Sequence, residues 1–192
     1  MKKILVIVDM QNDFITGSLG SLECQCIVPA VVNKLKESLK NEDWIIFTRD
    51  THNKDYLNTS EGKKLPVEHC IKGTPGHDII PELWNEWCSI GVYNSYMHIF
   101  DKPIFGSLEL MEALGKVEQI VKGEWEIEFC GVCTDICVVS NVLMAKSFYP
   151  DAKISVNPRL CAGTSINNHL SAIDVMRSCQ IDIIETEEEL VK

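Results

Sequence analysis

The segment Gly131-Val132-Cys133-Thr134-Asp135-Ile136-Cys137 leads from an apolar run through a turn into the start of a helix. Cys137 would lie in the first helical turn, where unpaired backbone N–H groups and the helix dipole favour negative charge. A thiol of ordinary pKa ~8.5 titrates lower in such a place, and only the thiolate is a strong nucleophile. Lys102 offers a cation and Asp9 a carboxylate, each at the end of its own extended run. These three types suit attack on a small amide, whose carbon needs a strong nucleophile and whose nitrogen must gain a proton before it leaves. A plainer reading stands beside each: Cys137 as a small core residue, Asp9 as a carboxylate capping the turn after its strand, Lys102 as a solvated charge.

A second constellation is Asp50-Thr51-His52 with Glu61 and His69. Two imidazoles and two carboxylates form a nitrogen and oxygen donor set suited to zinc, iron or manganese, with positions left for water or substrate. A polar loop without a metal is the competing reading.

The elements that must carry these residues follow from the apolar pattern. Lys3 to Asp9 and Asp43 to Asp50 are short runs rich in branched residues that end in carboxylates, and Ile27 to Lys40 between them keeps its apolar residues close to one helical face. Gly91 to Lys102 reads as extended, Leu108 to Leu114 as a short helix, and Glu126 to Val132 as a strand with one exposed acidic face. A helix over Asp135 to Phe148, strands at Ile154 to Val156 and Ile181 to Ile184, a helix from about Asn167 to Cys179 and a solvated acidic helix from Glu185 complete the chain. This alternation predicts an α/β fold, a doubly wound, mostly parallel sheet with helices on both faces. Ligands then gather outside the carboxyl ends of the strands, where Asp9, Asp50, Lys102 and the turn after Val132 project. Thr51 to His77, punctuated by Gly62, Pro66, Gly73, Pro75 and Gly76, is a long loop, the kind of segment that carries function.

The 192 residues suit a single domain over 1–192, and 45% hydrophobic with 24% charged residues is a globular composition. A formal net charge of −10 opposes a nucleic-acid partner. The only N-terminal apolar run, Ile4 to Val8, is too short for a signal peptide or a membrane span. Nine cysteines without paired spacing point to reduced thiols in the cytoplasm. His77, His98 and His169 fit no ligand pattern and read as structural.

Asp9 with Gln11-Asn12-Asp13-Phe14, Lys102 before Pro103-Ile104-Phe105-Gly106-Ser107, and Gly131 to Cys137 occur in that order. Together they resemble the isochorismatase-like cysteine hydrolases, and the nicotinamidases among them. The resemblance implies an Asp-Lys-Cys triad in which Cys137 attacks, Asp9 shuttles the proton and Lys102 stabilises charge, with oxyanion donors at the backbone N–H groups of Cys133 and Cys137. It also implies a cis peptide between Val132 and Cys133, a divalent metal with zinc foremost, and a homo-oligomer.

Three departures from the family pattern stand out. Cys133 replaces a common alanine, placing a second thiol by the nucleophile, and Leu65 replaces a frequent aromatic. Pro66-Val67-Glu68-His69-Cys70 carries one extra residue before its histidine. The resemblance implies a third ligand that is commonly His and in some members Glu, for which Glu61 is the candidate after Asp50 and His52, with Glu68 its rival. Phe14 and Phe105 are the candidate apolar walls of the substrate site. The alternatives are a metal-free hydrolase of an N-carbamoyl or ureido compound, and a binding module without activity. Isochorismatase chemistry itself, on a vinyl ether, does not call for Cys137.

Overall fold

The computed structural model of the chain describes residues 2–89, 97–121 and 124–184. Six strands form one sheet in the order β3-β2-β1-β4-β5-β6, with every neighbouring pair parallel. The strands are β1 (Lys2–Val8), β2 (Trp44–Asp50), β3 (Met97–Lys102), β4 (Trp125–Val132), β5 (Lys153–Ala162) and β6 (Asp182–Ile183). The main helices are α1 (Asn12–Ile15), α2 (Leu22–Lys40), α3 (Pro81–Ser89), α4 (Leu108–Val121), α5 (Val139–Phe148) and α6 (Ile166–Ser178). Side chains on β4 show that helices cover both faces: Glu128 reaches Lys34 of α2, whereas Trp125, an odd number of residues away, packs edge-on against Tyr149 at the end of α5. This is the doubly wound fold expected from the sequence.

Strand order reverses between β1 and β4, so the loops after these two strands part to opposite sides and open a crevice. Register then sets what stands at its rim. Val8 is level with Thr48 on one side and Gly131 on the other, and Asp50 is level with Lys102. The ends of β1 to β4 thus deliver Asp9, Asp50, Lys102 and the Val132 turn to one place.

Several boundaries differ from the sequence expectation. Helix α2 begins at Leu22 rather than Ile27, because Ser21 caps it by accepting a hydrogen bond from the Cys24 N–H. Helix α4 runs on to Val121, and β5 runs from Lys153 to Ala162, past a register irregularity against β4. The exposed acidic face expected for β4 is absent, since the strand is buried throughout. Glu126 and Glu128 are each about nine-tenths or more buried and draw their cations from distant elements, Glu126 from Lys3 and Lys153 and Glu128 from Lys34 at 2.6 Å. The extended stretch from Gly91 is strand from Met97 onward, with 90–96, like the acidic tail from Glu185, outside the described residues.

Gly131 has φ +115° and lies so close to β1 that an added Cβ would stand 2.1 Å from the Val8 carbonyl oxygen. Both the positive φ and the close approach require glycine. Gly131→Ala is expected to destabilise the protein by roughly 3 kcal/mol or more in urea unfolding. A change below about 0.5 kcal/mol, the ordinary range for a neutral surface site, would contradict this packing.

Candidate active site

Asp9 follows β1 in a left-handed conformation, φ 51°, and is completely buried. Its backbone N–H donates to the Thr48 carbonyl at 3.2 Å, and Thr48 Oγ1 donates to its Oδ1 at 2.7 Å. Its Oδ2 lies 2.6 Å from Lys102 Nζ. The ammonium also donates to Cys137 Sγ at 3.3 Å and to Asp50 Oδ1 at 3.4 Å. Lys102 therefore stands between the carboxylate and the thiol, as the resemblance implies.

Cys137 differs from expectation in its local setting. It belongs to a π-helical turn, Thr134–Val138, that precedes α5. Burial, then the charge of Asp9, push its thiol well above the usual range, and Lys102 only partly opposes them. Desolvation and the charges of Asp9 and Asp50 act against the thiolate that a helix start would favour. Burial likewise raises Asp9 above an ordinary carboxyl, with Lys102 acting against the rise and Asp50 adding to it. Burial disfavours the Lys102 ammonium, but the charges of Asp9 and Asp50 and the hydrogen bond to Asp9 outweigh burial and hold it protonated.

The peptide Val132–Cys133 is cis. Asp135 ties the turn that follows it to the end of β5, accepting from the Thr164 N–H at 2.8 Å and from Thr164 Oγ1 at 2.5 Å. His169, read as structural, shares a 2.8 Å hydrogen bond with Thr134, and His77 one of the same length with Thr51.

Asp50, His52, Glu61 and His69 converge, their donor atoms all within 4.8 Å of one another. His52 Nε2 is 3.0 Å from Asp50 Oδ2 and 3.7 Å from Glu61 Oε1. His69 Nε2 is 3.3 Å and 4.0 Å from the same two atoms. Bonds of ~2.0–2.1 Å in a tetrahedron place donors about 3.3 Å apart, so this set fits a metal of zinc size. His69 Nδ1 faces the Val67 carbonyl at 2.8 Å, which turns the Nε2 edge of the ring into the cluster. Burial works against ionised Asp50, but hydrogen bonds from His52 and His69 and the Lys102 charge hold it well below the usual carboxylate range. Glu68 is exposed and is not in the cluster.

A cavity of about 320 Å³ joins the two groups, with Cys137, Cys133, Asp50, Glu61 and His69 in its wall. Phe14 and Phe105 line it, as does Leu65. Sequence reasoning missed Leu19, Cys24, Ile136 and the Gly163–Thr164 corner, which line it too. A hydrogen bond from the Cys133 thiol is the largest influence on Cys24, lowering it to about 7. The signal for Cys24 was Ser21 three residues before it, a helix cap that would have started α2 early enough to aim that thiol at the site.

Among known proteins, the nicotinamidase of Schizosaccharomyces pombe is 26% identical over 216 residues, covering 98% of this chain and 95% of its own length. The crystal structure of the nicotinamidase/pyrazinamidase of Bacillus subtilis superposes with a TM-score of 0.82 at 22% identity, covering 96% of this chain and all of its own. That of the pyrazinamidase of Pyrococcus horikoshii in complex with zinc gives 0.77 at 23% identity, covering 97% of this chain and all of its own. The model of the isochorismatase domain matches residues 3–188, nearly the whole chain, and the protein belongs to the isochorismatase family.

Proposed function

We propose that the protein is a cysteine amidohydrolase that converts nicotinamide and water to nicotinate and ammonia. The observation that carries this reading is the placement of Lys102 Nζ, 2.6 Å from Asp9 and 3.3 Å from Cys137, behind a cavity that the Asp50, His52, Glu61 and His69 set also faces. The Schizosaccharomyces pombe relative supports the substrate. In this reading the unit that acts is the whole of 1–192 as one domain, a cytoplasmic homo-oligomer working on a small molecule, with no nucleic-acid or membrane partner. Among the described residues no helix is long and apolar enough to cross a membrane.

Asp9 takes the proton of the Cys137 thiol as Sγ bonds to the amide carbon. The carbonyl oxygen becomes an oxyanion, to which the backbone N–H groups of Cys133 and Cys137 donate; the loss of one such donor typically costs ~2.7–4 kcal/mol. Asp9 passes the proton to the amide nitrogen, the C–N bond breaks, and ammonia leaves an acyl thioester on Cys137. Asp9 then deprotonates a water that attacks the thioester carbon, and the C–S bond breaks as the proton returns to Cys137. Lys102 stays protonated and offsets the charge moving between its neighbours. Asp50, His52, Glu61 and His69 would hold a divalent ion, zinc in this reading with iron or manganese alternatives, which when bound supplies a Lewis-acidic partner for a ring nitrogen. Phe14 and Phe105 flank the ring and exclude water.

Cys137→Ala should leave a folded protein whose ammonia release falls about a thousandfold or more, as expected when a nucleophile is removed. Cys133→Ala should keep most activity, because only its backbone is used; substantial turnover by Cys137→Ala would sink the nucleophile assignment. With the metal saturating, kcat/KM should fall as pH drops through the Asp9 pKa, because Asp9 must be ionised to accept the thiol proton. Since burial raises that pKa, the acid limb should lie above the 3.8 of an ordinary carboxyl, and a limb at or below it would contradict Asp9 as the base. Stripping the metal, or His52→Ala, should slow nicotinamide hydrolysis on the order of a hundredfold through lost positioning, while Cys137 still alkylates. Full activity at less than ~0.1 metal per chain by elemental analysis would instead point to the metal-free hydrolase of an N-carbamoyl compound, since a required ion must occupy each working site.

A further inference from the structure

The Gln11-Asn12-Asp13 stretch has no part in the chemistry above, and neither Gln11 nor Asp13 lines the cavity. Yet each of its side chains reaches the backbone of β2 or of the loop that follows, Asp13 Oδ1 also accepting from the Ser18 N–H at 3.4 Å. Gln11 is completely buried. Its amide clamps Asp50 from both sides, Oε1 accepting from the Asp50 N–H at 2.7 Å and Nε2 donating to the Asp50 carbonyl at 2.9 Å. The same Nε2 donates to the His77 carbonyl at 2.9 Å, and Asn12 donates to the Pro75 carbonyl at 2.7 Å.

Asp13 reaches the two histidines. Its Oδ2 accepts from the Cys70 N–H at 2.7 Å, at a residue with φ 47° immediately after His69. The Cys70 carbonyl in turn accepts from the His52 N–H at 3.0 Å. One peptide therefore joins His69 covalently, His52 by a backbone hydrogen bond and Asp13 by a charged one. A charged acceptor forms the stronger kind of hydrogen bond, and the left-handed residue it steadies is one that most side chains adopt only when held. Gly76 leaves the space for this contact, since a Cβ there would stand 2.1 Å from Asp13 Oδ2.

We infer that Asp13 and Gln11 are positioning residues for the metal-ligand set, Asp13 aligning His52 and His69 through Cys70 and Gln11 fixing Asp50 through its backbone. The inference rests on the reading of Asp50, His52, Glu61 and His69 as ligands. It differs from that reading in predicting that residues outside the donor set control affinity.

The test uses the full chain stripped by chelation, with Zn2+ as the probe in competition against a chromophoric chelator. Asp13→Ala should bind Zn2+ about 10- to 100-fold more weakly, the usual loss when an outer partner of a ligand is removed. Asp13→Asn keeps an acceptor for the Cys70 N–H and should recover most of that loss, whereas Asp13→Leu, of comparable bulk but without an acceptor, should not. Gly76→Ala should mimic Asp13→Ala by displacing the carboxylate, and combining the two should add little, because both break one contact. Gln11→Glu, which can accept from Asp50 but not donate to it, should also weaken binding. Thermal unfolding without metal separates folding from affinity: the rise in Tm on adding Zn2+ should shrink in Asp13→Ala, in proportion to the weaker binding. If Asp13→Ala does not fold, Gly76→Ala carries the test. Wild-type affinity in Asp13→Ala, or in Gly76→Ala where it stands alone, overturns this inference and leaves the ligand assignment intact. Failure of the wild-type chain to bind Zn2+ overturns both.

Discussion

The buried ammonium of Lys102 is the interaction on which the site depends. Removing a charged side chain from water costs several kcal/mol even after relaxation, and only close, well-placed partners repay it. Lys102 has them in Asp9, Asp50 and Cys137 at 2.6, 3.4 and 3.3 Å. Each comes from the end of a different strand or the turn beyond it, so the charge is satisfied only when β1, β2, β3 and β4 end level with one another. The same condition sets the attacking group beside its base. Asp50 extends this further, because its Oδ1 faces Lys102 while its Oδ2 faces His52 and His69. The proposed nucleophile and the proposed metal ligands are thereby one electrostatic unit.

That unit explains why the thiol is not ionised by its own surroundings. Two carboxylates and complete burial act against a thiolate at Cys137, and one ammonium does not compensate for them. A base that takes the proton during attack suits such a thiol better than a preformed anion does. Asp9 is raised by burial from the ordinary carboxyl range, which moves it toward neutral pH, where a general base is most effective.

Much of this was legible in the sequence for a physical reason. Asp9, Asp50 and Lys102, the strand-end residues of the proposed site, sit next to strongly apolar runs, so each stood where a hydrophobic pattern stops. The candidate ligands in the 51–77 loop were legible by residue type, and Glu61 stands in the cluster while Glu68 is exposed and outside it. What could not be read locally were partnerships across elements. The acids of β4 look solvent-facing because their cations, Lys3, Lys34 and Lys153, lie far away in the chain. The thiol of Cys137 looks activated because a helix start is visible in a sequence and desolvation by the rest of the fold is not. Cys24 was invisible for a smaller reason, a serine cap outside the apolar period of its helix.

The division of the cavity wall narrows what it can hold. Asp50, Glu61 and His69 are polar groups that demand a partner, whereas Phe14, Phe105, Leu65 and Ile136 offer apolar surface only. A ligand that met the polar groups alone would leave the aromatic wall wet, and a purely apolar one would make no use of the polar side of the cavity. A flat ring bearing one nitrogen and one carboxamide satisfies both, with its faces on the apolar wall and its polar atoms at separate points. Leu65 gives no flat face to stack on, so in the proposed function Phe14 and Phe105 are the two rings in the wall that a flat ligand could meet. The tilted contact of Phe14 with His69, 5.6 Å between ring centres, makes that wall continuous with the ligand set. Under the proposed function, Phe14 would meet the substrate ring with one surface and His69 with another, so one side chain would touch both the ring and the candidate ligand set.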